Sequence, residues 1–195
     1  MGLSQEKLLH LTDGELMREV GKKNCDAFEI IYDRHSSAVY SLSYRIVGSA
    51  AAADDVCQET FMALWRSAKT YQHSRGPLRS WLLTIVHNRA IDNIRKMTTI
   101  ESHQVYDENA YVEQASSANT EDDVLAHFDQ LRTRELLTQL PIDQRKVVEL
   151  SFYSGYSHGE IADHLGVPLG TVKGRMSLAL SKMRQSLEGE RLVVL

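Results

Sequence analysis

The sequence has few of the residues that mark membrane, secreted or fibrous proteins. It contains 2 cysteines, 3 prolines and 11 glycines among 195 residues, and no apolar run approaches the roughly 18 residues of a membrane span. Cys25 and Cys57 match neither a CxxC motif nor a metal-ligand spacing, and the N-terminus is unlike a secretory signal. We therefore expect a soluble cytoplasmic protein without a membrane span, metal or other cofactor. Its 43% of hydrophobic residues are enough to build one or two cores.

Basic charge is also scarce, and it is unevenly distributed. The net charge is −4 and the isoelectric point is 6.1, whereas a domain that binds DNA unaided usually has a value above about 9. Residues 99–130 contain 8 acidic residues and no Lys or Arg, while residues 66–98 contain 7 basic residues and 1 acidic residue. This pattern indicates two near-neutral lobes joined by an acidic segment, in a protein poorly equipped to hold DNA alone.

The hydrophobic pattern is helical throughout and predicts an all-α fold. Thr12 and Glu15 form a capping box that begins a helix, and Lys22-Lys23-Asn24 is expected to end that helix, since asparagine tolerates the left-handed conformation. Further helices are predicted over residues 27–47, 54–67 and 81–97, with a turn-rich loop at 71–77. Residues 98–120 lack an apolar period and are predicted to be a flexible acidic linker, after which helical spacing returns from residue 124 to residue 152.

The C-terminal pattern is the most specific one. Ser157 and Glu160 form a second capping box, Gly166 permits a tight turn, and Pro168 suits the start of another helix, which has no acid before Glu188. One stripe of that last helix is predicted to be apolar and buried, through Val172, Met176, Ala179, Leu180 and Met183. A short helix, a glycine turn and a basic second helix are typical of a DNA-binding helix-turn-helix. The alternative is a plain helical hairpin with a solvated basic face.

Two helix faces in the N-terminal half also suit binding. One stripe of the helix over 81–97 carries Thr84, Asn88, Asp92 and Arg95. Trp81 lies beside it, and aromatic rings next to amide and basic side chains suit unpaired bases. On the helix over 54–67, acids surround Met62, which suits a protein-docking face because methionine adapts to partner surfaces. A core tryptophan and a solvated helix face are the alternatives.

Taken in order, these segments resemble two regions of bacterial sigma-70 factors. Region 2 is resembled by residues 27–28, 32–35, 54–61 (DDVCQETF), 79–82 (RSWL) and 88–92 (NRAID). Region 4 is resembled by residues 140–141 (LP), 159–162 (GEIA), 165–168 (LGVP) and 170–175 (GTVKGR). Two such regions with a short linker are similar to the extracytoplasmic-function (ECF, group IV) RNA polymerase sigma factors, and the resemblance covers nearly the whole chain.

The resemblance implies a transcription initiation factor rather than an enzyme. It implies a region 2 domain at residues 1–98, an acidic linker at 99–122 and a helix-turn-helix region 4 domain at 123–195. Proteins of this family bind core RNA polymerase, recognise the −10 and −35 promoter elements and help open the duplex. They are usually restrained by an anti-sigma factor.

The resemblance also implies which residues do the binding. Core RNA polymerase is expected to contact Asp55, Gln58, Glu59 and Met62. Single-stranded DNA of the −10 element is expected to contact Tyr71, Arg75, Arg79, Ser80, Trp81, Asn88 and Arg95. Duplex DNA of the −35 element is expected to contact Thr171, Lys173, Gly174, Arg175, Ser177, Leu178 and Lys182.

Three places depart from the family pattern. Gly174 stands where Ser or Thr is common, Leu178 where a polar or basic residue is common, and Pro77-Leu78 where a small residue precedes an aromatic one. Helical geometry places Leu178 well away from the apolar stripe, and the thymine methyl group is the partner that suits an apolar side chain in the major groove. We therefore expect Leu178 to read a thymine, while Arg175 and Lys182 hold the DNA backbone.

Two other classes of function remain as alternatives. A self-sufficient helix-turn-helix repressor accounts for the C-terminal half, but not for the acidic face around Asp55 and Glu59 or for the acidic linker. An enzyme would need a metal or nucleophile site. Asp54-Asp55 and the 8 histidines are the only hints of one, and no two histidines have the i, i+4 spacing of helical metal ligands.

Overall fold

The computed structural model describes residues 5–100 and 132–193. The chain divides into two compact units, residues 1–123 and residues 124–195. All regular elements in the described ranges are helical, which confirms the predicted all-α class. None of these helices is both long and apolar enough to cross a membrane. Beyond its first two positions, the predicted linker at 99–122 lies outside the described residues, as does the predicted pattern at 124–131.

The described part of the first unit contains five α-helices. They are α1 (Gln5–Leu9), α2 (Asp13–Gly21), α3 (Cys25–Val47), α4 (Ala50–Ser67) and α5 (Leu78–Ile100). Two short 3-10 turns, Ala68–Thr70 and His73–Arg75, lie in the connection between α4 and α5. The core forms where α3, α4 and α5 pack together, with Ile31, Leu64, Leu82 and Val86 fully buried. Burial of each such side chain stabilises the unit by about 1.5–3 kcal/mol.

The first capping box forms as predicted, and α2 ends at Gly21, next to the predicted end at residues 22–24. Thr12 and Glu15 make both reciprocal hydrogen bonds of the box. Lys23, rather than Asn24, takes the left-handed conformation, with φ of 69°. Asn24 instead begins α3, because its side-chain oxygen accepts a hydrogen bond from the Ala27 amide at 3.2 Å, a role that asparagine fills better than most residues. The Lys23 ammonium lies over the ring of Trp65 and donates to its carbonyl oxygen.

Several helices begin earlier than the hydrophobic pattern predicts. The start of α4 is Ala50 rather than Asp54, because four consecutive alanines favour the helix but give no amphipathic signal. The start of α5 is Leu78 rather than Trp81, and Leu78 is buried. Helix α1 has only five residues and was not predicted, although its Leu8 is completely buried. Helix starts therefore depend on intrinsic helix propensity and on tertiary contacts, neither of which a periodicity contains.

The second unit is built around a helix-turn-helix. Residues 132–138 are helical and are called α6. They are followed by α7 (Ile142–Phe152), α8 (His158–Leu165) and α9 (Leu169–Val193). Gly166, with φ of 62°, makes the left-handed turn after α8. In the second capping box, the Ser157 amide donates to Glu160 Oε2 at 2.7 Å and the Glu160 amide donates to Ser157 Oγ at 3.3 Å. The predicted turn chemistry is thus confirmed.

The core of the second unit consists of two apolar clusters. One contains Leu137, Leu140, Val148 and Ala179, and the other contains Val147, Ile161, Ala162 and Val172. Met176 of α9 packs against both clusters. The DNA-reading helix of the predicted motif is therefore held by α6 and α7 as well as by α8.

The prediction of the apolar stripe on α9 is wrong for one residue. Leu180 is 48% exposed, whereas Val172 and Ala179 are completely buried. At about 100° per residue, Leu180 lies about 70° from the centre of the buried stripe, which is too far around the helix to reach the clusters. The buried stripe of α9 is therefore narrower than its apolar sequence suggests.

Candidate nucleic-acid interface

The outward stripe of α5 has the arrangement that the sequence predicts. Thr84, Asn88, Asp92 and Arg95 are all exposed, while Leu82, Val86 and Ala90 on the opposite side are completely buried. Asn88 lies two helical turns after Trp81 on nearly the same side of the helix. The side chain of Asn88 is therefore accessible from outside the unit.

Tyr71 of the loop before α5 and Trp81 of the first turn of α5 place two aromatic rings at one end of this stripe. The Tyr71 ring lies 5.5 Å from the Trp81 ring, centroid to centroid. The Tyr71 hydroxyl donates to the Gly76 carbonyl oxygen at 3.2 Å, which closes the loop. Gly76 has φ of 139°, a conformation that residues with a Cβ rarely adopt. The rings of Tyr71 and Trp81 thus lie at the same end of α5 as the exposed Arg75 and Ser80, whereas Arg79 is half-buried.

The acidic face of α4 is exposed as predicted, but it carries an ion pair that the sequence did not reveal. Asp55, Gln58, Glu59 and Met62 all face solvent. Glu59 Oε2 accepts a hydrogen bond from Arg89 Nη1 of α5 at 2.6 Å. Thirty residues separate these two side chains, so only the packing of α4 on α5 brings them together. The face predicted to bind polymerase is therefore linked to the helix that carries Asn88.

Aromatic rings pack where α3 meets α4. Tyr32 of α3 is 46% exposed, and its ring lies 4.6 Å from the ring of Phe61, centroid to centroid. Phe28 packs edge-on against both Phe61 and Trp65. Tyr32 was not among the predicted site residues, because a tyrosine that follows the apolar spacing of a long helix is predicted to be buried in the core.

The outer face of α9 presents six of the seven residues predicted to bind the −35 element. They are Thr171, Lys173, Gly174, Ser177, Leu178 and Lys182. Leu178 is 56% exposed, as its helical phase predicts. Arg175 is the exception, since it is half-buried and its Nη2 donates to Asp143 Oδ2 of α7 at 2.7 Å. One N–H group of Arg175 is thus used within the unit, and the guanidinium has four more.

A second unpredicted network lies at the start of α2. Asp13 Oδ2 accepts from His35 Nε2 at 2.9 Å, and Asp13 Oδ1 accepts from Arg34 Nη1 at 3.1 Å. The hydrogen bond from His35 is the main reason why the pKa of Asp13 lies below its usual value of 3.8, and Arg34 lowers it further. His35 was predicted only as part of a family motif, and no local signal in the sequence pairs it with Asp13.

Two features of the described residues bear on metal binding and on cysteine reactivity. Within residues 5–100 and 132–193, no three His, Cys, Asp or Glu side chains are close enough together to hold a metal ion. Burial raises the pKa of the Cys57 thiol, which disfavours the reactive thiolate. The two units together define an all-α protein that carries a helix-turn-helix in its second unit.

Comparisons with known proteins identify the family. The family model for sigma-70 region 2 matches residues 31–99, and the one for sigma-70 region 4 matches residues 130–183. The ECF RNA polymerase sigma factor SigK of Mycobacterium ulcerans is 32% identical over 173 residues, which cover 89% of this chain and 92% of SigK. SigL of Mycobacterium tuberculosis is 34% identical over 158 residues, which cover 81% of this chain and 87% of SigL. This chain therefore belongs to the ECF RNA polymerase sigma factors.

Solved structures of similar proteins are also found. One is SigE of Rhodobacter sphaeroides in complex with the anti-sigma ChrR, which is 28% identical, with a TM-score of 0.44 and coverage of 90% of this chain and 98% of that chain. Another is RpoE of Bartonella quintana in complex with the anti-sigma factor NepR, which is 24% identical, with a TM-score of 0.37 and coverage of 77% and 90%.

Proposed function

We propose that this chain binds core RNA polymerase, directs it to promoters with matching −10 and −35 elements, and starts transcription there. The observation that carries this proposal is the outer face of α9. Five side chains that suit duplex DNA are exposed on it together with Gly174, while the opposite stripe is buried. A net charge of −4 supports a requirement for polymerase, because phosphate contacts supply most of the affinity of a protein that binds DNA alone.

The two units divide the work in this proposal. The exposed face of α4, with Asp55, Gln58, Glu59 and Met62, binds polymerase, and Tyr32 extends that face. The loop before α5 and the stripe that contains Asn88 hold unpaired bases of the −10 element, where Trp81 and Tyr71 supply ring surface for stacking. The −35 duplex lies against α9, and the first part of the second unit meets the polymerase flap.

The same proposal includes the domain boundaries, the cellular location of the chain and its lack of catalytic activity. Residues 1–98 act as the region 2 domain, residues 99–122 as an acidic linker kept off the DNA by its charge, and residues 123–195 as the region 4 domain. The chain works in the cytoplasm with RNA polymerase and has no catalytic activity of its own. The self-sufficient repressor is the alternative that must be tested.

We further infer that an anti-sigma protein restrains this chain when its signal is absent. The predicted binding faces of α4 and α9 are exposed on their own units, so a partner is needed to keep them from polymerase and promoter. Affinity purification from unstressed cells should recover such a protein, and purified core polymerase should compete with it. Recovery of polymerase alone, under both stressed and unstressed conditions, would contradict this inference.

Run-off transcription tests the central proposal. Purified chain and core polymerase, incubated with a library of genomic promoters, should give discrete transcripts that neither component gives alone. The purified chain by itself should not protect a promoter from nuclease at physiological salt. Tight protection without polymerase would instead support the repressor.

A further inference from the structure

The start of α2 fixes the N-terminal helices to the centre of the first unit. Arg34 donates to three acceptors there: the Leu9 carbonyl at 2.8 Å, the Leu11 carbonyl at 3.0 Å and Asp13 Oδ1 at 3.1 Å. His35, the next residue of α3, donates to the other oxygen of Asp13 and is only 8% exposed. Both oxygens of the Asp13 carboxylate are thus used to hold the first turn of α2 against α3.

That first turn also touches the loop between α4 and α5. A Cβ atom placed on Gly14 would lie 3.6 Å from Cγ of the His73 side chain, so His73 rests on the backbone beside Asp13. The Tyr71 hydroxyl lies 3.4 Å from His73 Nδ1, and its ring packs against Trp81. The pKa of Tyr71 is raised, first by burial and then by the negative charge of Asp13. The carboxylate and the loop therefore lie within electrostatic reach of each other.

We propose that Asp13 is a positioning residue for the loop between α4 and α5. It holds the first turn of α2 through Arg34 and His35, and that turn supports His73 and Tyr71, which place the Trp81 ring at the end of the α5 stripe. This placement of the Trp81 ring can be measured on the free chain. Its effect on promoter opening rests on the proposed function of the loop and needs a separate measurement with polymerase.

Trp81 fluorescence tests the placement. The chain has 2 tryptophans, and Trp65→Phe leaves Trp81 as the only emitter while keeping an aromatic ring beside Phe28. In this background, Asp13→Asn should shift the emission to longer wavelength and make Trp81 more accessible to a neutral quencher. Asp33→Asn is the matched control, since it removes the same charge from an exposed position next to Arg34 and should leave the emission unchanged.

A second pair of variants leaves Asp13 and its partners intact. Gly14→Ala adds a methyl group at ordinary contact distance from His73 and should leave Trp81 emission as it is. Gly14→Leu adds a branched side chain that must displace His73, and it should shift the emission in the same direction as Asp13→Asn. Unchanged emission in folded Gly14→Leu or folded Asp13→Asn would overturn the inference.

Promoter opening then tests the consequence. With core polymerase, Asp13→Asn should reduce permanganate reactivity of unpaired thymines by about ten-fold, while the affinity for polymerase stays unchanged. His73→Ala should show a similar defect. The double variant should be no more defective than the more defective of the two single variants, because both changes act on the contact of the first turn of α2 with His73. Additive defects would overturn a route through His73. Shifted emission with normal opening would uphold the placement and contradict the −10 role of the loop.

Discussion

At the scale of single residues, Leu178 is the sharpest probe of promoter reading. It is 56% exposed on the outer face of α9, so burial in the unit does not account for an apolar side chain there. Leu180 is a matched control, because it is the same residue type on the same helix, is 48% exposed and lies on a different side.

Leu178→Ala should reduce transcription from the natural promoter by about five-fold or more while leaving the melting temperature unchanged. Replacing one −35 thymine by uracil should produce the same loss, because uracil lacks the methyl group, and the combination should add nothing. Leu180→Ala should change neither activity nor base preference. A lowered melting temperature for Leu178→Ala, with unaltered base preference, would assign the residue to the core instead.

The ion pair of Glu59 and Arg89 allows polymerase binding to be separated from stability. The two side chains are 57% and 37% exposed, and exposed pairs contribute about 1 kcal/mol or less. Glu59→Gln should therefore change the melting temperature little. It should weaken binding to core polymerase by about ten-fold, as measured by fluorescence anisotropy.

Arg89→Gln is the control for that experiment. It breaks the same pair but leaves the carboxylate on the α4 face, so polymerase affinity should stay close to that of the natural chain. Equal losses in the two variants would show that the geometry of the pair, rather than a direct contact of Glu59, determines binding.

The stability of the first unit should depend on pH through Asp13. Its folded-state pKa lies below 3.8, because the carboxylate accepts hydrogen bonds from His35 and Arg34. A lowered carboxyl pKa contributes stability that is present above the unfolded value and is lost as the pH falls through the folded value. Asp13→Asn should therefore lower the unfolding free energy at pH 7 by about 1–3 kcal/mol, and the difference should shrink as the pH falls below about 4. A constant difference down to pH 2 would contradict this origin.

At the scale of helices and turns, the turn before α9 depends on one glycine. Gly166 has φ of 62°, whereas Gly174 lies within α9, and a Cβ atom added to either glycine would meet nothing within 4 Å. Gly166→Ala should therefore lower the unfolding free energy by about 1–2 kcal/mol through backbone strain alone. Gly174→Ala should raise it by about 0.5–1 kcal/mol, because alanine is the better helix former. Opposite shifts in thermal unfolding are the expected result, and shifts of the same sign would contradict it.

Sequence alone predicts the parts of this molecule that depend on near neighbours. Both capping boxes, the glycine turn and the exposed stripes of α5 and α9 follow from spacings of three or four residues. At the predicted end of α2, residues 22–24, the left-handed residue is Lys23 rather than Asn24, because Asn24 instead begins α3. Leu180 was wrong because an apolar residue at a stripe's edge is buried only if a neighbouring helix reaches it. The pairing of Glu59 with Arg89, and of Asp13 with His35, depends on helix packing and has no local signal.

At the scale of the whole molecule, the distribution of charge along the chain should limit non-specific binding of the free chain to DNA. The two lobes are each close to neutral, and the net charge of −4 comes from the acidic segment at 99–130. Phosphate repulsion by that segment should keep the free chain off bulk DNA.

Neutralising part of the segment tests this. Changing Glu101, Asp107 and Glu108 to glutamine or asparagine should strengthen binding of the free chain to non-promoter DNA and make that binding more sensitive to salt. Gel-shift titrations at two salt concentrations measure both effects. Changing three amides of the same segment to serine is the control and should leave the affinity as it was. No gain in affinity would show that the segment does not screen the chain from DNA.

The position of Met176 in the second unit has a consequence for chemical damage. Its side chain packs against both apolar clusters, so the two clusters are joined through this one side chain. Addition of one oxygen atom to this sulfur would place a polar group between the clusters. A single oxidation event would thus loosen α9 and the helices that support it together, and enzymatic reduction of the sulfoxide would restore both at once.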